Sequence, residues 1–169
     1  MGNLIRKAGL PGNIHADGAC DGNHRIPLFC LGQKSKRTEL CNVDMLLIIS
    51  GKVKVIIEIE ESNVKPIQIF GKLVASALCS HYMYRNNDPI PMDDSVLFIQ
   101  VLDTSTLKEK TLKLAQWNVV EKLIADILPI RDSKIKEYRL FYGDRHDFSP
   151  ESEAGKQLTE CIRSSLAGF

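Results

Sequence analysis

No apolar run in this sequence approaches the roughly 20 residues that a bilayer-spanning helix requires, which argues against a membrane protein. CxxC spacing is missing among the five cysteines, Cys20, Cys30, Cys41, Cys79 and Cys161, and their number is odd. The start "MGNLIRKAGL" lacks an apolar signal region, so a reduced, cytoplasmic protein is expected. Arg6 stands where a myristoylation signal wants Ser or Thr. Net charge is nearly absent too. With 22 Lys and Arg against 21 Asp and Glu, overall charge names no acidic or basic partner. Internal repeats and low-complexity tracts are also lacking.

What is present fits one compact unit: 169 residues, 44% of them apolar, can bury a real core. The expected organisation is a single domain, 1–169, with a basic N-terminal arm and loop over 1–38 and a core over 39–169. The first 38 residues hold Arg6, Lys7, Arg25, Lys34, Lys36 and Arg37 against Asp17 and Asp21. They are either a surface for phosphates or a solvated arm.

Residues 9–24, with four glycines and a proline, read as a loop. "RIPLFCLG" (25–32) reads as a strand, and "VDMLLII" (43–49) and "VKVIIEIE" (53–60), joined by "SGK", as a hairpin. From Pro66 the period changes. Phe70, Leu73, Val74, Ala77, Leu78 and His81 recur at three and four, which predicts a helix with one buried stripe. A loop over 85–94 and a buried strand over 95–103 follow. A helix over 111–128 is expected to bury Leu112, Ala115, Val119, Leu123 and Ile127 and to end at Pro129. A strand over 137–142 and a last helix capped by Ser149 complete the order. The natural packing is α/β, a mixed central sheet with an antiparallel three-strand meander flanked by helices.

Three carboxylates sit inside the hairpin. Side chains alternate along a strand, so Glu58 and Glu60 share one face, about 7 Å apart, while Ile57 and Ile59 share the other. If "SGK" is a three-residue loop with Ile49 opposite Val53, Asp44 lies across from Glu58 and Asn42 across from Glu60. A two-residue loop pairs Asp44 with Ile57 and turns the acid away. Three acids so close repel one another. Either they end a solvated strand beside Lys54 or Lys65, or they hold a hard cation such as Mg²⁺, which takes carboxylates together with substrate phosphate oxygens.

Asp44, then Glu58-Ile59-Glu60 at the end of the following strand, then a helix, resembles the PD-(D/E)xK nuclease superfamily, the restriction-endonuclease-like fold. That core of helix, three-strand meander, helix and strand is similar to the order over residues 1–102. The resemblance implies a nuclease that hydrolyses phosphodiester bonds, in DNA more than RNA, with Mg²⁺ or Mn²⁺ on Asp44 and Glu58. Glu60 stands in the family's lysine position, where a minority of members carry a further ligand or a base. Lys65, Gln68 and Lys72 share one helical stripe; Gln68 is similar to the glutamine of RecB-type exonucleases, and Lys72 replaces that motif's tyrosine. The resemblance therefore implies a site of Asp44, Glu58, Glu60, Gln68 and Lys72, with a homodimer possible on a duplex. The alternative is a non-catalytic nucleic-acid or protein interaction module on the same scaffold.

The other candidates have ordinary readings. His15, Cys20, His24 and Cys30 match no usual zinc spacing. His146 falls in a surface turn, Cys79 in or near the core, and Phe70 and Trp117 among core aromatics.

Overall fold

The segment over residues 52–60 carries two apolar faces, and each is buried against a different pair of helices. Val53 and Ile56 enter one core, Val55 and Ile57 the other. The computed structural model describes residues 2–60, 63–84, 88–108 and 111–167. In chain order the elements are α1 (Gly2–Lys7), β1 (Asn13–Ala16), β2 (Ile26–Phe29), β3 (Glu39–Val43), β4 (Met45–Ile49), β5 (Lys52–Glu60), α2 (Pro66–Ala77), β6 (His81–Tyr82), β7 (Ile90–Asp103), α3 (Lys113–Ile127), β8 (Ile135–Gly143) and α4 (Glu153–Ala167).

The strands run in the order β1-β4-β5-β7-β6-β2-β3, with β8 added to β7. The β5/β7 and β7/β8 pairs are parallel and the rest antiparallel, so the fold is α/β with a mixed, mostly antiparallel sheet flanked by helices. One core holds Ile69 and Leu73 of α2 and Trp117, Val120 and Ile124 of α3. The opposite core holds Leu4 and Ile5 of α1 and Leu158 and Ile162 of α4. No helix among the described residues is long and apolar enough to cross a membrane.

The hairpin register differs in its cause from the sequence expectation. The turn has two residues, Ser50 (φ 52°) and Gly51 (φ 74°), both left-handed, as the twist of adjoining strands favours. Ile49 pairs with Lys52 and Ile48 with Val53; the register then shifts, so that Leu47 meets Val55 and Met45 meets Ile57. The two-residue turn would have turned Asp44 away from Glu58. The bulge restores the phase, since one extra residue on one strand exchanges the faces of everything beyond it.

Five further expectations are corrected. The first strand of the meander is β1, not residues 25–32: Asn13–Ala16 pairs with β4, whereas β2 pairs with β3 and β6. Residues 1–38 thus carry α1, β1 and β2. The strand expected over 95–103 begins at Ile90, because Pro91 sits opposite the two-residue β6, where few ladder bonds are lost. In α3 the buried stripe is Trp117, Val120 and Ile124, while Leu112, Val119, Leu123 and Ile127 are exposed. The helix is apolar on two sides, and the side with the indole, which has the most surface to remove from water, turns inward. In α2 likewise, Val74 is exposed and Ile69 and Ser76 buried, and the helix ends at Ala77, so that Leu78 and His81, expected on it, lie beyond it, His81 in β6. Finally, α4 is capped by Ser152, whose Oγ accepts from Gly155 N at 3.1 Å, rather than by Ser149.

Candidate active site

Asp44 lies at the joint where the chain leaves β3 and enters β4, which places it between two pairing partners and frees its side chain. Its main-chain oxygen accepts from Asp17 N at 2.9 Å, and its Oδ2 accepts from Ile59 N at 2.6 Å. The second bond ties the Asp44 carboxylate to the end of β5, next to Glu58.

Glu58 is fully buried beneath α2, so the acidic face of the hairpin is covered rather than open. Lys72 reaches it from α2, with Nζ 3.1 Å from Glu58 Oε2 and 3.8 Å from Glu60. No donor among the described residues reaches Glu58 Oε1. Burial, reinforced by the Asp44 charge, pushes the Glu58 carboxyl up to about 9. Asp44 is raised as well, first by burial, with the Ile59 amide working against the shift. Burial pulls the Lys72 ammonium down, but Glu58, Glu60 and Asp44 outweigh it, and the net shift is upward.

Gln100, on β7, is the cross-strand neighbour of Glu58 in the parallel register and is itself fully buried. Tyr138 OH donates to its Oε1 at 2.8 Å, which leaves Nε2 with no acceptor among the described residues. Sequence reasoning missed this residue. Its only signal was a polar amide inside the apolar run 96–102.

Asp44, Glu58, Glu60 and Lys72 are therefore brought together. Gln68 is not: its Oε1 accepts from Lys65 N at 2.8 Å, closing the first turn of α2, and the side chain is exposed. Lys65 is exposed. No group of three or more His, Cys, Asp or Glu residues able to hold a metal is found among the described residues. The pair Asp44 and Glu58 remains, with Glu60 turned toward Lys72.

At the carboxyl ends of β5, β7 and β8 a cleft of about 520 Å³ opens, lined by Asp44, Ile59, Glu60, Val101, Asp103 and Asp144 among others. The ends of parallel strands are the usual place for a ligand in such sheets. A larger groove, about 620 Å³, lies between α1 and α4 and contains none of these acids.

The remaining candidates lie elsewhere. His15 and His24 meet at Tyr82 OH, at 3.0 and 3.4 Å, while Cys20 packs in the opposite core. His146 is exposed, and Trp117 and Phe70 belong to the core on the α2 side. The basic residues of 1–38 are spread over α1, the β1–β2 connection and the β2–β3 loop, where Arg25 pairs with Glu39 at 3.3 Å. No family model, no curated protein and no solved structure gives a match to this chain.

Proposed function

We propose that this chain is a divalent-metal-dependent nuclease of the restriction-endonuclease-like, PD-(D/E)xK type. The observation that carries this reading is the buried Glu58 carboxyl, set beside Asp44 and touched by Lys72 Nζ at 3.1 Å, with one oxygen that no donor among the described residues reaches. A fully buried acid with an incomplete set of partners is costly to keep ionised. A hard cation fits this pair of carboxyls, since Mg²⁺ and Mn²⁺ accept one or two carboxylates and leave room for water and phosphate oxygens.

Asp44 and Glu58 would hold the ion. When bound, it supplies positive charge for a phosphate and acidifies a water. The chain's own groups do the rest. Ile59 N fixes the Asp44 carboxylate, so one ligand is already oriented. Lys72 supplies, from a helix, the ammonium that the family's motif carries on the strand, and it balances Glu60. Glu60, on the rim of the cleft, would accept a proton from an attacking water. A cleft lined with acids repels a phosphate backbone, so nucleic-acid binding should need the metal.

One observation favours the rival reading, a non-catalytic interaction module: Lys72 already provides an internal cation for both glutamates. The deciding experiment incubates the protein with plasmid and single-stranded DNA, and with RNA, in Mg²⁺ or Mn²⁺, beside Asp44→Ala and Glu58→Ala. Cleavage by the wild type, lost in both variants, supports the nuclease. Cleavage that persists in both removes this site from the chemistry, and no cleavage under either metal favours the module.

A further inference from the structure

Two sulfur atoms lie close together on the α2 side of the sheet, outside the carboxylate site. Cys41, on β3, has its Sγ 4.0 Å from Sγ of Cys79, the second residue after α2. The pair comes from segments far apart in sequence. Cys41 is half-buried, whereas Cys79 is buried. Cys79 Sγ also donates to Ala75 O at 3.3 Å, and Cys41 Sγ lies 3.7 Å from Ser76 Oγ.

The two thiols differ in character. The Cys79 S–H, then Ser76 Oγ, and the charge of Lys72 hold the Cys41 thiol below its usual range against the opposing effect of burial. Cys79 moves the other way, chiefly because its proton is shared with Cys41, and burial adds to it. One sulfur is thus the readier nucleophile and the other keeps its proton beside it. That is the arrangement of an attacking and a resolving cysteine.

The geometry points to Cys41 and Cys79 as a peroxide-oxidisable dithiol. Cys41 gives up its proton and the thiolate attacks one oxygen of a hydroperoxide; an S–O bond forms, the O–O bond breaks, and the second oxygen takes the proton from Cys41 and leaves as water or an alcohol. Cys79 sulfur then attacks the Cys41 sulfenic acid, the S–O bond breaks, and hydroxide departs with the Cys79 proton as water. The two sulfurs lose two electrons and the peroxide gains them. Closing the bond requires the sulfurs to approach from 4.0 Å to about 2 Å. The product ties β3 to the far end of the helix that carries Lys72.

The site does not depend on nuclease activity, and its test reads sulfur chemistry alone. Folded wild-type protein is treated with hydrogen peroxide at equimolar thiol, and intact mass and peptide maps are recorded. The expected product is lighter by two hydrogens, with a Cys41–Cys79 linkage. Cys79→Ser should stop at a dimedone-trappable sulfenic acid on Cys41, while Cys41→Ser should form neither. Cys41 should react at least about ten-fold faster than Cys20, whose thiol burial pushes up to about 12. A folded wild type that loses no hydrogens overturns the proposal. So does a linkage to Cys30 instead, or crosslinking that survives in Cys41→Ser.

Discussion

Lys72 Nζ lies 3.1 Å from Glu58 Oε2, joining a half-exposed helix lysine to a glutamate that is wholly removed from solvent. The asymmetry sets what each substitution should do. In Lys72→Met the aliphatic stem can keep its packing, but toward pH 9, where Glu58 ionises, its charge is left beside Asp44 without the Lys72 ammonium. Because Lys72 is part-exposed, the loss should be about 1–2 kcal/mol, below that of a fully buried pair. Urea denaturation without divalent ions measures it. If Asp44 and Glu58 hold a metal, millimolar Mg²⁺ should restore part of the loss in Lys72→Met and none in a Lys72→Met, Glu58→Gln double variant.

Glu58 also sets a pH dependence. Its folded-state pKa is raised to about 9 from an ordinary value near 4.5. Between those limits the folded state binds a proton that the unfolded state has lost, so protonation favours the fold. Stability from this group is full below about pH 4.5 and is lost as pH rises toward 9. Metal-free wild type should therefore weaken by one proton's slope across that window, and Glu58→Gln should be flatter. A bound cation competes with that proton for the Glu58 carboxylate, so Mn²⁺ affinity measured by calorimetry should tighten as pH rises. An affinity independent of pH between 6 and 9 would place the ion elsewhere.

Element types were largely legible in the sequence because the apolar periods are strong: both strands of the hairpin, α2, α3 and β8 lie where their patterns indicate. What stayed hidden depended on pairing. Asn13–Ala16 is too short to announce a strand within a glycine-rich stretch and exists through its bonds to β4. Asp44, Glu58 and Glu60 were visible as misplaced charges, and Lys72 as one position on a stripe. Gln68 lies on the same stripe one turn earlier, and no periodicity could tell a cap from a site residue. Gln100 was invisible, since its position beside Glu58 follows from a parallel pairing between strands far apart in the chain.

The same ambiguity in α3 yields a clear contrast. Trp117 is fully buried, whereas Leu123 is 51% exposed although both belong to apolar stripes of one helix. Trp117→Ala should cost about 3–5 kcal/mol, the range for deleting a large buried aromatic. Leu123→Gln should stay within about 0.5 kcal/mol of wild type, because it changes only surface. Denaturant midpoints for the two variants decide it. A costly Leu123→Gln would mean that the outer stripe of α3 is covered in solution.

The hairpin turn links local backbone to the site. Ser50 and Gly51 both adopt positive φ, 52° and 74°, the pattern that Asn-Gly satisfies best. Ser50→Asn should stabilise by a few tenths of a kcal/mol, since asparagine tolerates the left-handed region better than serine. Gly51→Ala should cost about 1 kcal/mol, the penalty of a Cβ at positive φ. A harsher test moves the register itself. Deleting Lys54, where the pairing shifts, removes the extra residue and leaves a two-residue turn with regular pairing. Asp44 would then turn to the opposite face from Glu58. Such a variant should lose divalent-ion binding by calorimetry well beyond any loss in Ser50→Asn. If it instead binds the ion as wild type does, Asp44 and Glu58 do not act as a pair.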